Sequence, residues 1–132
     1  MTRYLIDSDI LIYFLKGIPE VIERLTQISP DALYTSRINA TELLYGAYNS
    51  ARIEKNLAII EPFLERFQIL EFDNTASLIF AKEKARLKKL GTPIADMDLM
   101  IASIALAHRC VLITNNVKHF ERVLGLEFER VV

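Results

Sequence analysis

Apolar positions along the chain switch repeatedly between a short, continuous rhythm and a helical one. Arg3 to Ile6 is a brief apolar run that stops at Asp7 and Ser8; Ile10, Leu11, Phe14 and Leu15 then recur at helical spacing until Gly17. Pro19 suits the first turn of a second helix, with Val21, Ile22, Leu25 and Ile28 on one side and a break at Ser29-Pro30. Leu33 to Thr35 predicts a strand, and Ser36 a cap for a helix running through Ala47. Residues 52 to 67 carry Ile53, Leu57, Ile60, Leu64 and Phe67 at helical spacing, with Pro62 expected to kink or split the helix. Gln68 to Phe72 reads as extended, Asp73 as an N-cap, and Ala76 to Leu90 as a long helix stopped by Gly91. Asp96 opens an almost wholly apolar helix to about His108. The strand Val111 to Thr114, a short helix near Val117 to Val123 and a last strand at Phe128 to Val132 complete the chain.

Strands separated by helical segments require crossover connections. The fold class is therefore α/β, a mainly parallel sheet covered by helices on both faces, and the chain is expected to form one domain over residues 1–132. In such sheets ligands bind beyond the carboxyl ends of the strands. That directs attention to Asp7, Ser8 and Asp9 after the first strand, Ser36 onward after the second, and Thr114, Asn115 and Asn116 after the fourth.

Composition narrows the choice. The 132 residues carry 16 Lys and Arg against 17 Asp and Glu, so non-specific coating of nucleic acid is disfavoured and any such contact needs a local basic patch. Cys110 stands alone, and no Cys and His set has zinc-ligand spacing, which points to a reducing, cytoplasmic setting. The longest uncharged apolar stretch, Leu99 to Ala107, is about half the length of a membrane span, and neither a transmembrane helix nor a signal peptide is expected.

The distribution of charge is more telling than its total. The three most apolar segments, Tyr4 to Leu15, Ile38 to Ala51 and Met97 to His108, hold only Asp7, Asp9, Glu42 and Asp98 as charged residues, where roughly nine charges would match the chain's own fraction. All four are acids. Carboxylates are seldom buried unpaired, and on a helix apolar nearly all round Glu42 is expected to be enclosed. Two carboxylates about 4 Å apart repel by about 4 kcal/mol at an effective dielectric near 20, so a cluster calls for a divalent cation. An all-oxygen donor set selects Mg²⁺ or Mn²⁺, whose bound water can attack a phosphate ester.

Plainer readings stand beside this one. Asp7 can close a strand-to-helix turn and Glu42 can be a solvated helix residue. Asp96 fits an N-cap better than a ligand; Asp9 fits a ligand or a residue behind one; Asn116 is a turn residue or a neutral oxygen donor. His108 and His119 show no partner pattern and read as structural or surface residues, and Tyr13, Phe14 and Tyr45 as core or subunit contacts. Lys82, Arg86 and Lys89 fall on one helical stripe, first a solvated face and second a surface for a nucleic-acid backbone.

The segments YLIDSDILIYFL, SRINATELLYGA, GTPIADMDLMIASIALAH and VLITNNVKHFERVLGLEFERV, in this order and spacing, resemble the PIN-domain ribonucleases, most of all the VapC-like toxins of bacterial and archaeal toxin–antitoxin pairs. The resemblance spans essentially the whole chain. It implies a three-layer α/β/α domain that cleaves RNA endonucleolytically with Mg²⁺ or Mn²⁺, works as a homodimer and is silenced by a cognate antitoxin. It also implies that Asp7, Glu42 and Asp98 are the catalytic acids, with Asp7 and Asp98 as primary metal ligands, and that Ser8 and Thr114 are accompanying hydroxyls. Many relatives carry a further acid where this chain has Asn115 and Asn116; Asn116 is the better match, which puts a second metal in question. Asp9 stands where Asn is frequent, and Asp96 adds an acid ahead of Asp98.

Two other classes use a similar acid pair. LIDSD also resembles the start of haloacid-dehalogenase-like phosphatases, but the Gly-Thr pair that normally follows is absent and no Lys is placed after a strand to steady a phosphoryl group. A receiver-type domain would use Asp7 and Asp9 with Asp73 as phospho-acceptor and Lys118 as partner, leaving Glu42 and Asp98 unexplained. No GxxxxGK loop is present, which argues against a nucleoside triphosphatase.

Overall fold

The computed structural model describes residues 1–132. Five strands, β1 Arg3–Ile6, β2 Leu33–Ser36, β3 Gln68–Leu70, β4 Cys110–Ile113 and β5 Phe128–Glu129, form one sheet in the order β3-β2-β1-β4-β5. Every pairing is parallel, with Leu5 opposite Leu112 and Ile6 opposite Ile113 in the central ladder. The chain builds outward from β1 to β3, then crosses back to add β4 on the other side of β1. The carboxyl ends of β2, β1 and β4 therefore form one rim around the switch in direction.

Seven helices cover the sheet: α1 Ser8–Leu15, α2 Pro19–Thr26, α3 Arg37–Tyr48, α4 Ile53–Leu64, α5 Asn74–Lys89, α6 Asp96–Ala107 and α7 Val117–Phe120. Alternation along the strands splits the core in two. Leu5 and Leu112 pack with Ala76 and Leu87 of α5, Leu99 and Ile104 of α6 and Phe120 of α7. Ile6 and Ile113, one residue on, pack with Ile10, Val21, Leu43 and Phe63 from α1 to α4. This is the three-layer α/β/α arrangement expected from the pattern.

Helix α6 lies between the sheet and α5, which explains why it tolerates so few polar residues. Ser103, one of them, donates its hydroxyl to Leu99 O at 2.6 Å and so needs no outside partner. α5 and α6 run antiparallel: Asp73 ahead of α5 faces His108 after α6 (3.5 Å), while Lys84 further along α5 meets Asp96 at the start of α6 (3.0 Å). No helix is long and apolar enough to cross a membrane.

The departures from expectation have local causes. β3 ends at Leu70 because its neighbour β2 ends at Ser36, leaving Glu71 and Phe72 nothing to pair with; β5 is short for the same reason against β4. Pro62 does not split α4. It lies near the end, and the helix stops at Leu64. α7 closes at Phe120, and the amide of Leu124 beyond it is captured by the Glu83 carboxylate (2.9 Å).

Candidate active site

Asp7 is the first residue beyond β1, and its amide still donates to Ile113 O (3.0 Å), so the backbone stays locked to the sheet while the side chain enters the rim. It caps α1: Oδ1 accepts from Ser8 N at 2.8 Å. Asn39 Nδ2 donates to the same oxygen at 3.0 Å and Thr114 Oγ1 donates to Oδ2 at 2.7 Å. The residue is 6% exposed. Burial first, and then the neighbouring charge of Asp9, push its pKa up to about 6 despite these bonds, with Asp98 adding a smaller push. The turn-closing role and the place in an acid pocket are both real for this residue.

Asn39 was not singled out by the sequence pattern, yet it connects the site. Ser36 caps α3 by accepting from Asn39 N (3.1 Å) and donates its hydroxyl to Asn39 Oδ1 (2.6 Å). That leaves Nδ2 to reach Asp7 and, at 2.9 Å, Ser8 Oγ. Ser8 Oγ in turn donates to Glu42 Oε1 at 2.8 Å. A continuous hydrogen-bonded chain thus links Asp7 to Glu42. Its available signal was an amide one helical turn from Glu42 on an otherwise apolar helix. Glu42 itself is half-buried rather than enclosed, because the rim of the sheet leaves this face of α3 partly open.

Asp9 lies on the same rim, close enough to Asp7 for its charge to be felt there. Its Oδ2 accepts from Asn115 N (3.0 Å) and its Oδ1 from Ile10 N (2.7 Å), and burial holds its pKa above the ordinary carboxylate value, with Asp98 adding to the rise. Thr114 is fully buried and accepts from Asn116 N at 3.0 Å. Asn115 is structural: its Oδ1 receives the amides of Val131 and Val132.

Asp98, in the first turn of α6, is half-buried at the mouth, with Oδ2 3.0 Å from His119 Nδ1; Asn116 Nδ2 lies 3.2 Å from that same nitrogen. The sequence pattern gives His119 no partner. The correction comes from tertiary packing, since α6 and α7 meet only in the folded chain. Asp96 also departs from expectation: Ala95, not Asp96, precedes the helix, and no side chain caps it. Residues two apart on a helix point about 200° apart, so when Asp98 turns inward Asp96 turns out. Its side chain is 59% exposed and pairs with Lys84.

The basic stripe is interrupted. Lys82 and Lys89 are exposed, but Arg86 forms two bonds to Glu83 (2.6 and 2.8 Å) and one to Arg122 O (2.9 Å), so its charge is already engaged.

The donor set fits a hard divalent cation in chemistry. Asp7, Asp9, Glu42 and Asp98 form no ion pair with any Lys or Arg, and Asp7 carries a buried carboxyl whose nearest charges are other acids. The acids share one rim without three of them closing on a common point as a ready-made cage.

Residues 4–125 match the PIN domain family. The chain is 38% identical over 133 residues to Ribonuclease VapC2 of Haemophilus influenzae, covering all of both chains. It is 34% identical over 129 residues to the tRNA(fMet)-specific endonuclease VapC of Salmonella typhimurium, covering 98% of each. Among solved structures it superposes on DNA-bound VapBC from Salmonella typhimurium with a TM-score of 0.92, 33% identity and full coverage of both chains. VapBC-1 from nontypeable Haemophilus influenzae gives 0.90 at 37% identity and 98% coverage of each.

Proposed function

This chain belongs to the PIN-domain family, and from that premise we propose that it is a VapC-type endoribonuclease, the toxin of a toxin–antitoxin pair, dependent on Mg²⁺ or Mn²⁺. The observation that carries the reading is Asp7: a buried carboxyl, raised to about 6, among acids and with no basic partner. A group so placed gains from a bound cation what no side chain nearby supplies.

Asp7 and Asp98 are the residues that would hold the ion. When bound, such an ion acidifies a water and screens the charge of a phosphodiester. The chain's own contribution is positioning. Ser8 N, Asn39 and Thr114 hold both Asp7 oxygens, so the carboxylate cannot swing away from the rim. Ser8 fixes Glu42 by one oxygen, Oε1, leaving Oε2 available to orient a water or take its proton. Asn116 offers a neutral amide at the mouth, and Asp9, through Asn115 N, ties α1 to the loop after β4. Asp96, paired with Lys84, takes no part. The exposed Lys82 and Lys89 remain candidates for RNA backbone contact.

The setting proposed is the cytoplasm, as a homodimer over a single domain of residues 1–132, with an antitoxin as partner, since the similar solved structures are VapBC complexes. RNA is the substrate class, and tRNA(fMet) is the first one to try because the Salmonella relative is named for it. The phosphatase and receiver alternatives find no support: Asp73 is engaged in capping α5. Purified protein should fragment RNA with Mg²⁺ or Mn²⁺, stop on chelation, and lose activity in Asp7→Asn and Asp98→Asn with the fold retained. Undiminished cleavage in either variant, or in chelator, refutes the reading.

A further inference from the structure

Of five tyrosines and seven phenylalanines, all but two are buried or half-buried. The two are Tyr45 and Tyr48 on α3, at 66% and 62% exposure, so Tyr45 lies outside the core. Neither ring takes part in an aromatic pair or a cation contact within the chain. Tyr45 comes three residues after Glu42, which makes the two neighbours on the helix surface.

Gly46, four residues after Glu42, shares that face. It is exposed in the body of α3, its φ is not positive, and a Cβ there would meet nothing within 4 Å. Glycine loses more backbone entropy than alanine on entering a helix, and here no turn or close neighbour within the chain requires it. Bare backbone at this place suits something from outside that comes close to α3.

Whatever comes close must leave the open side of Glu42 accessible, and a second protein helix laid over Gly46 would cover it. The residues around Tyr45 on the helix surface, Thr41, Glu42 and Asn49, are polar, unlike the charge-depleted centre of a subunit interface. A phosphate gains nothing from a neutral ring beside a carboxylate, whereas any nucleobase stacks on an aromatic face.

We propose that Tyr45 and Gly46 form the nucleobase platform of this site: an unpaired base of the RNA stacks on the Tyr45 ring, and its backbone passes over Gly46 toward Glu42. Tyr48, three residues further, offers a ring to the adjoining base. The proposal rests on the nuclease reading above and adds to it where the substrate lies.

The test is steady-state cleavage of tRNA(fMet) and of a mixed-sequence single-stranded RNA by the full chain with Mg²⁺ or Mn²⁺. The wild type is compared with Tyr45→Ala, Tyr45→Phe and Gly46→Leu, each also measured for melting temperature and for sedimentation at the assay concentration. Tyr45→Ala should raise KM roughly tenfold while kcat changes less than about threefold, as loss of one stacked base predicts. Tyr45→Phe, which keeps the ring, should recover most of that loss. Gly46→Leu should melt higher than the wild type, because leucine favours the helix, yet raise KM by blocking the approach. An unmoved KM in Tyr45→Ala, or no recovery in Tyr45→Phe, overturns the platform. So does a Tyr45→Ala chain that sediments as a monomer where the wild type is a dimer, since the ring then belongs to a second copy. If the wild type cleaves neither RNA, or Asp7→Asn cleaves as fast, the nuclease reading fails and the platform falls with it.

Discussion

Asp7 on the rim of the sheet and Glu83 on α5 are almost equally hidden, at 6% and 8% exposure, but their surroundings are opposites. Glu83 binds the Arg86 guanidinium through both oxygens and also receives the Leu124 amide, and Arg86 foremost holds its carboxyl below the ordinary range. Asp7 receives only neutral donors, and the charges near it are acids. Burial of a carboxyl therefore says little by itself. A buried acid with its own cation is part of the scaffold, here joining α5 to the segment after α7. A buried acid among acids is destabilising until something offsets its charge, which is what marks it as a candidate functional group.

The largest effect that separates the two is on activity. A unit charge about 4 Å from a cation is worth about 4 kcal/mol at an effective dielectric near 20, so Asp7→Asn should lower RNA cleavage roughly a thousandfold. Glu83→Ala should leave the cleavage rate within about twofold. Comparable losses in both, measured by gel assay on folded protein, would erase the distinction.

Stability against pH in chelator is the next. Folded Asp7 binds its proton more tightly than the unfolded chain does, so its contribution to stability is present at low pH and is lost as pH rises from about 4 to about 6. The loss is of order 3 kcal/mol. Asp7→Asn should flatten that slope in denaturant melts, and Mg²⁺ or Mn²⁺ should restore stability above pH 6. Glu83 works in the other direction: its stabilisation is present above the usual carboxylate pKa of 4.5 and fades as pH falls below it. An Asp7→Asn curve that parallels the wild type would contradict the assigned environment.

A smaller effect is expected on the scaffold side. Glu83→Ala leaves the Leu124 amide and Arg86 without their acceptor and should cost about 1–3 kcal/mol, read as a melting point several degrees lower. Smallest of all, Lys82→Ala and Lys89→Ala should each weaken RNA binding only a few-fold and reduce its salt dependence slightly. No change in the salt slope would remove this face of α5 from the RNA surface.

The acids were legible because their signal is local. A charge inside an apolar run, as at Asp7, Glu42 or Asp98, stands out within one or two turns of chain. Asn39 was not legible: an amide on a helix is unremarkable until Ser36, Ser8 and Asp7 converge on it. The partner of His119 is not legible in the sequence because it lies 21 residues away on another helix. Asp96 and Asp98 were separable only once packing of α6 decided which side of the helix faced the sheet.

Hydrophobic periodicity alone determined the order of strands and helices, the parallel α/β class and the set of acids in unexpected company, because each is set by neighbours along the chain. Tertiary structure alone decided which buried acid has a cation and which has only acids beside it, how far Glu42 is covered, and that a hydroxyl at residue 114 holds a carboxylate 107 positions earlier. Electrostatic environment is a sum over everything within a few ångströms, and in a crossover fold most of those groups arrive from distant parts of the chain.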